Sequence, residues 1–241
     1  SAALNGYLDD VFGTAKDKSA RFMYMFDRIA GFMFRLLRRI GEEFSVSEFE
    51  PYAFELPVED GGEVSAYRLS TADGHTVLVQ GKIDRVDVLN KNGSRYVRVV
   101  DYKTGAKQFS LNDVFYGINI QMLVYLFSVW KGGHGGLEKS LPAGVLYMPA
   151  RDSVVSGERN MSAEKAEKSI NEPLRANGLL LDDPMVLSAM EPGFKGVFIP
   201  VKQTKDGCAA SGGGTLATLE QMGKIKGHID RLLLSLAEEL Y

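Results

Sequence analysis

The chain has 241 residues and a formal net charge of −3 at pH 7, with 45% hydrophobic and 24% charged residues. This is ordinary globular composition, long enough for one large domain with a buried core, and it excludes a disordered or low-complexity chain. It also argues against a stand-alone basic nucleic-acid binder, because phosphate neutralisation favours a positive surface. The single cysteine, Cys208, excludes an intramolecular disulfide and any cysteine-pair metal site, which fits a reducing, cytoplasmic setting. No run of about 18 apolar residues occurs, and Ser1-Ala2-Ala3 lacks the pattern of a secretory signal. A soluble protein with no membrane attachment is expected.

Phe22, Met25, Phe26, Ile29, Met33, Leu36, Leu37 and Ile40 recur at three- and four-residue spacing. They predict an amphipathic helix over 16–44 that packs on something. A β-rich block follows, with strands expected at 51–58, 64–69, 75–88 and 95–104. Asp60-Gly61-Gly62, Asp73-Gly74 and Asn92-Gly93 separate them, and the pattern reads as an antiparallel meander. Next come a helix over 111–130, a flexible glycine-rich connection at 132–136 and a strand at 143–148. The remainder predicts a helix at 162–176, a strand at 196–201, a flexible Gly212-Gly213-Gly214 linker and a last helix from Leu216. No internal repeat or Pro/Ser-rich linker splits the chain. One α/β domain over 1–241 is expected, with a helical part at 1–48, a core at 49–150 and a further α/β part at 151–241.

The informative stretches are Gly81-Lys82-Ile83-Asp84-Arg85-Val86-Asp87 and Val99-Val100-Asp101-Tyr102-Lys103-Thr104-Gly105. Asn-Gly is the strongest short hairpin signal, because a two-residue type I′ turn needs positive φ at both central positions. With Asn92 and Gly93 in those positions, Asp84 lies opposite Asp101. Opposed residues share a face with Cβ atoms roughly 4.5–5.5 Å apart, where two like charges repel unless something compensates them. A divalent cation would compensate. Mg²⁺ prefers oxygen ligands and is usually held by one or two carboxylates plus substrate phosphate. Lys103, two residues beyond Asp101, falls on the same face. Asp87 falls opposite Arg98 on the other face, as an ordinary cross-strand salt bridge. A β-bulge would shift this register by one.

Asp-x-Lys alone is a weak signal, more often a surface salt bridge. The ordered set is far more specific: Gly81-x-x-Asp84, Asp101-x-Lys103, then Gln121-x-x-x-Tyr125 on one face of the following helix. It resembles the RecB-like branch of the PD-(D/E)XK nucleases. Tyr116-Gly117, Pro142-Ala143-Gly144-Val145-Leu146-Tyr147 and Asn177-Gly178-Leu179-Leu180-Leu181-Asp182 extend the likeness to the C-terminal nuclease of AddB-type chains, over roughly residues 51–190. The resemblance implies a restriction-endonuclease-like α/β fold whose mixed, largely antiparallel central sheet is flanked by helices, with 49–150 as the catalytic core. It implies Asp84 and Asp101 as metal-binding carboxylates, the Tyr102 carbonyl as a further ligand and Lys103 as the catalytic lysine. Gln121 and Tyr125 would support the lysine or the phosphate.

The implied activity is Mg²⁺- or Mn²⁺-dependent hydrolysis of DNA phosphodiesters, leaving 5′-phosphate and 3′-hydroxyl ends, beside an AddA-type helicase-nuclease partner in double-strand-break repair and recombination. Residues 82–107 carry seven bases and three acids, a local balance of +4, so phosphate contacts are expected from Lys82, Arg85 and Lys107. Two family features are missing. AddB-type chains carry an upstream helical histidine, and His75, His134 and His228 stand in the wrong context for it. They also hold a [4Fe-4S] cluster with several cysteines, and Cys208 stands alone. The sequence is therefore expected to be a piece of a longer protein, to hold no cluster, and to be inactive by itself if that histidine is essential. Glu55 is a weaker candidate for a third acidic ligand. The Gly132–Gly136 stretch is no phosphate loop, since no GK[ST] follows. The rival reading is a nuclease-like domain that only binds DNA or holds a partner chain.

Overall fold

A computed structural model describes residues 6, 19–105, 108–150, 162, 165 and 174–240. Helix α1 (Ala20–Val46) opens on Ser19, whose side chain accepts from the Phe22 N–H and so satisfies one of the free donors of the first turn. Its apolar stripe is only partly used. Leu36, Arg39 and Glu43 are its buried residues, while Met25, Ile29, Met33 and Leu37 remain exposed. The residues this helix buries are thus largely charged, against the expected apolar contact.

Strand β1 (Glu50–Val58) is followed by a separate hairpin, β2 (Tyr67–Ser70) and β3 (Thr76–Val79), and then by β4 (Gly81–Lys91) and β5 (Ser94–Lys103). The expected meander is therefore corrected. β1 pairs directly with β4, and the run expected over 75–88 breaks at Gln80, where the chain leaves the hairpin for the main sheet. The expected helix over 111–130 is two helices, α2 (Leu111–Phe115) and α3 (Gln121–Gly132), parted by positive φ at Gly117 and Asn119. β6 (Leu141–Pro149) and β7 (Asn177–Leu181) follow, then α4 (Pro184–Met190), the hairpin β8 (Val201–Thr204) and β9 (Gly207–Ala210), β10 (Gly214–Ala217) and α5 (Leu219–Leu240).

The main sheet has the order β1-β4-β5-β6-β7-β10, parallel at β5–β6 and β7–β10 and antiparallel elsewhere. It is the mixed, largely antiparallel sheet expected, with α3 packed over β5 and β6. The hydrophobic core is continuous across the sheet and α3, from Ile83, Val86 and Val99 to Leu123, Leu126 and Phe127.

The C-terminal third differs more from expectation. The helix expected at 162–176 lies almost wholly outside the described residues. Residues 196–200 form no strand: the buried Glu191 carboxylate takes the N–H groups of Val197, Phe198 and Ile199 at 2.8, 2.9 and 3.0 Å, and the strand begins only at Val201. Gly212 to Gly214 is no flexible linker, because Gly214 already pairs with Gly178 in the sheet. Gly133 bridges to Val64, and a Cβ on Gly136 would overlap the Tyr52 ring, so the other glycine-rich stretch is a packed corner.

Candidate active site

The Asn92-Gly93 turn has φ of 53° and 74°, as a type I′ turn requires. The register it sets runs unbroken from Lys91–Ser94 to Arg85–Val100. One step further, the Asp84 Oδ2 accepts the Tyr102 N–H at 3.0 Å. Asp84 and Asp101 therefore lie at the open end of the β4–β5 pair, on the face that alternation assigns them. Asp101 is 9% exposed. The Lys103 ammonium sits on it, 2.9 Å from Oδ1 and 2.8 Å from Oδ2, so the buried carboxylate is engaged by this one cation.

The Asp101 carboxylate, which already holds a cation, and the second oxygen of Asp84 fit a hard cation. Both are anionic donors on neighbouring strands, one half-exposed and one buried, and the lysine marks where positive charge is already drawn. Among the described residues no third His, Cys, Asp or Glu joins them. Glu55 is corrected as a third ligand. It has φ 53°, is largely exposed and binds the Lys82 ammonium at 2.5 Å. His134 bonds Ser65, His75 approaches Asp73, and His228 bonds the Phe115 carbonyl.

Gln121 and Tyr125 come together as the four-residue spacing predicts, with the Gln121 amide donating to the Tyr125 hydroxyl at 2.9 Å. The structure explains the motif glycine as well. A Cβ on Gly81 would stand 2.0 Å from that hydroxyl, so only glycine lets Tyr125 lie against the start of β4. Tyr125 is 5% exposed and has little room to retreat. Gly81→Ala is expected to cost about 1–3 kcal/mol by overpacking, with partial recovery in Gly81→Ala/Tyr125→Phe, both read by chemical denaturation. A neutral Gly81→Ala would mean that the helix slides freely on the strand.

Sequence reasoning missed Tyr147. It is the partner of Asp101 across the parallel β5–β6 pair, and the Lys103 ammonium lies 6.0 Å from its ring centroid. Its hydroxyl donates to the Asn119 carbonyl at 3.3 Å, tying the turn before α3 to the carboxylates. Burial pushes the Tyr147 phenol up, and the Asp101 charge pushes it further the same way. It stays a neutral donor. The sequence signals were its place in a predicted strand and at the end of the Pro142–Tyr147 stretch, and neither assigned it to the site.

Of the expected phosphate contacts, Arg85 is a correction. It is fully buried, with Arg98, Asp87 and Glu43, on the face of the sheet opposite Asp84. Asp87 and Arg98 do form the expected cross-strand salt bridge, at 2.8 Å, but it is fully buried and Glu43 of α1 joins it at 2.7 Å from Arg98. Burial opposes the Arg85 charge, but Asp87 and Glu43 outweigh it and hold its pKa above the ordinary guanidinium value. Arg85 also donates to the Tyr102 hydroxyl at 2.7 Å. Lys82 is exposed, with its pKa raised by the Glu55 partner and by the Asp84 charge. Lys107 lies outside the described residues. Lys91 is paired with Glu48, Lys82 with Glu55 and Arg98 with Asp87, so much of the local excess of bases is already matched by acids.

A mixed sheet with acids on two neighbouring antiparallel strands just beyond their paired stretch, a lysine on one of them and a helix laid over the start of one strand, defines a restriction-endonuclease-like protein. The PD-(D/E)XK nuclease superfamily profile matches residues 2–210, and the chain belongs to that superfamily. Curated relatives named as the B subunits of ATP-dependent helicase/deoxyribonucleases match it along nearly its whole length. The one from Clostridium acetobutylicum is 35% identical over 95% of this chain and 20% of its own length. Those from Acetivibrio thermocellus and Clostridium botulinum are 33% and 32% identical, over 100% and 98% of this chain and 21% of their own lengths. The chain thus spans about a fifth of the length of the curated relatives it matches. Among the described residues no helix is long and apolar enough to cross a membrane.

Proposed function

We propose that this chain is a single divalent-metal-dependent deoxyribonuclease domain of an AddAB-type helicase-nuclease, hydrolysing DNA phosphodiesters in the cytoplasm during double-strand-break repair and recombination. The observation that carries the reading is the Asp84, Asp101 and Lys103 constellation, with the lysine ammonium seated on the buried Asp101 carboxylate. Asp84, Asp101 and the Tyr102 carbonyl would hold Mg²⁺ or Mn²⁺. When bound, such an ion polarises the scissile phosphate and lowers the pKa of a water.

The chain's own residues supply the rest. Lys103 turns from Asp101 toward the phosphate and stabilises the negative charge that builds there. Gln121, held on Tyr125, positions the phosphate or the lysine. Lys82 contacts the DNA backbone, and Lys107 is assigned the same part. Arg85 is withdrawn from that group, since its charge is spent in the buried cluster. The AddA-type partner would deliver one strand, with ATP used by other parts of the assembly.

Calorimetric titration of Mn²⁺ into the chain tests this, beside Asp84→Asn and Asp101→Asn proteins shown by circular dichroism to be folded. Binding that both substitutions abolish is the expected result. No binding, or binding indifferent to both, would overturn the catalytic reading in favour of a domain that binds DNA or holds a partner chain.

A further inference from the structure

The end of α2 and the turn before α3 carry three exposed large apolar side chains. Phe115 is 61%, Tyr116 75% and Ile118 53% exposed. The two rings are nevertheless fixed. Phe115 stacks flat on His228 of α5, with centroids 4.9 Å apart and planes 7° from parallel, and Tyr116 stands edge-on to Phe115 at 5.4 Å. The His228 ring also bonds the Phe115 carbonyl at 2.8 Å. On α5, Lys224, His228 and Arg231 recur at spacings of four and three, which places them along one side of the helix. Lys224 and Arg231 are exposed. Lys224 is bridged to Glu220 at the surface, a kind of pair weak enough to yield to a phosphate. An ordered aromatic turn thus packs on His228, with the exposed Lys224 and Arg231 on the same side of α5.

The same turn is tied to the candidate active site. Asn119, its last residue but one, accepts the Tyr147 hydroxyl through its carbonyl, and Tyr147 is the strand partner of Asp101. Gln121 opens the next helix directly after it. The turn that carries the platform is therefore linked to the strand of Asp101 through Asn119 and Tyr147.

We infer that Phe115 and Tyr116 form a stacking platform for unpaired bases, with Lys224 and Arg231 meeting the phosphates, and that the platform feeds single-stranded DNA to the Asp84 and Asp101 carboxylates. The inference rests on the nuclease reading above. Base stacking needs exposed aromatic faces beside positive charge and tolerates any sequence, whereas a duplex hides the faces of its bases. A protein partner would use the apolar area of the same turn but would be indifferent to its ring faces.

The test is fluorescence anisotropy of a labelled oligothymidylate with the 241-residue chain in metal-free buffer, where no cleavage intervenes. Tyr116→Ala is expected to weaken binding about ten- to hundredfold, the loss typical of one stacked base. Tyr116→Leu, which keeps apolar area without a ring, should lose nearly as much, and Tyr116→Trp should restore it. A labelled blunt duplex should respond little to any of the three. Unchanged oligothymidylate affinity in Tyr116→Ala would overturn the platform, as would full retention by Tyr116→Leu, the pattern of an apolar protein-docking surface. The Mn²⁺ titration separates the two readings. Mn²⁺ binding with indifferent Tyr116 variants removes only the platform, while absent Mn²⁺ binding removes the nuclease reading on which it rests.

Discussion

Glu43→Gln is expected to destabilise the fold by about 3–5 kcal/mol, the usual cost of breaking a buried ion pair by removing one partner. Two carboxylates, Glu43 and Asp87, face two guanidiniums, Arg85 and Arg98, with every side chain at most 2% exposed. The cluster is neutral as a whole. The neutral amide would leave two buried cations against one anion, with all four side chains closed off from solvent. Urea denaturation should show a lower midpoint with an unchanged slope, the sign of a stability change alone. The double variant Glu43→Gln/Arg98→Met restores charge balance and should cost less than the two single changes added together. A loss below about 1 kcal/mol for Glu43→Gln would mean that the cluster does not need the carboxylate as an anion. The cluster also ties α1 to the site, since Arg85 holds the Tyr102 hydroxyl while the Tyr102 N–H holds Asp84.

Lys103→Ala should lower DNA cleavage with Mn²⁺ by on the order of 10²–10³, the usual loss when one group that stabilises transition-state charge is removed. Its effect on metal binding should run the other way. In this structure the ammonium neutralises Asp101, so removing it frees that carboxylate, and Mn²⁺ affinity should hold or rise. Asp101→Asn should lose cleavage and metal together. The split between the two variants is the informative result. If Lys103→Ala cleaved at the unaltered rate, the Asp101–Lys103 contact would be a structural salt bridge and no more.

The turn and register that lead to Asp84 and Asp101 were legible because they depend on local chemistry. Asn92-Gly93 fixes the turn, the turn fixes the register, and a period of two then assigns Asp84, Asp101 and Lys103 to one face. The spacing of Gln121 and Tyr125 was equally readable, since one helical turn brings them together. Tyr147 was not. Its place beside Asp101 arises from a parallel pairing reached through α2 and α3, and no local turn sets the register of such a crossover. The strands β7 and β10 escaped for a related reason. They are short, and β7 is buried along its whole length, so it lacks the alternation that reveals a half-exposed strand.

Arg85 shows most plainly where the sequence stops. Alternation already places it on the opposite face from Asp84, and the sequence alone determines that much. Whether that face meets water or protein depends on where α1 docks. Only the tertiary structure places Glu43 over β4 and β5 and turns a candidate phosphate-binding arginine into half of a buried ion cluster. The periodicity of a strand fixes the direction of a side chain, but its charge acts through its surroundings, and those are set by contacts between segments far apart in the chain.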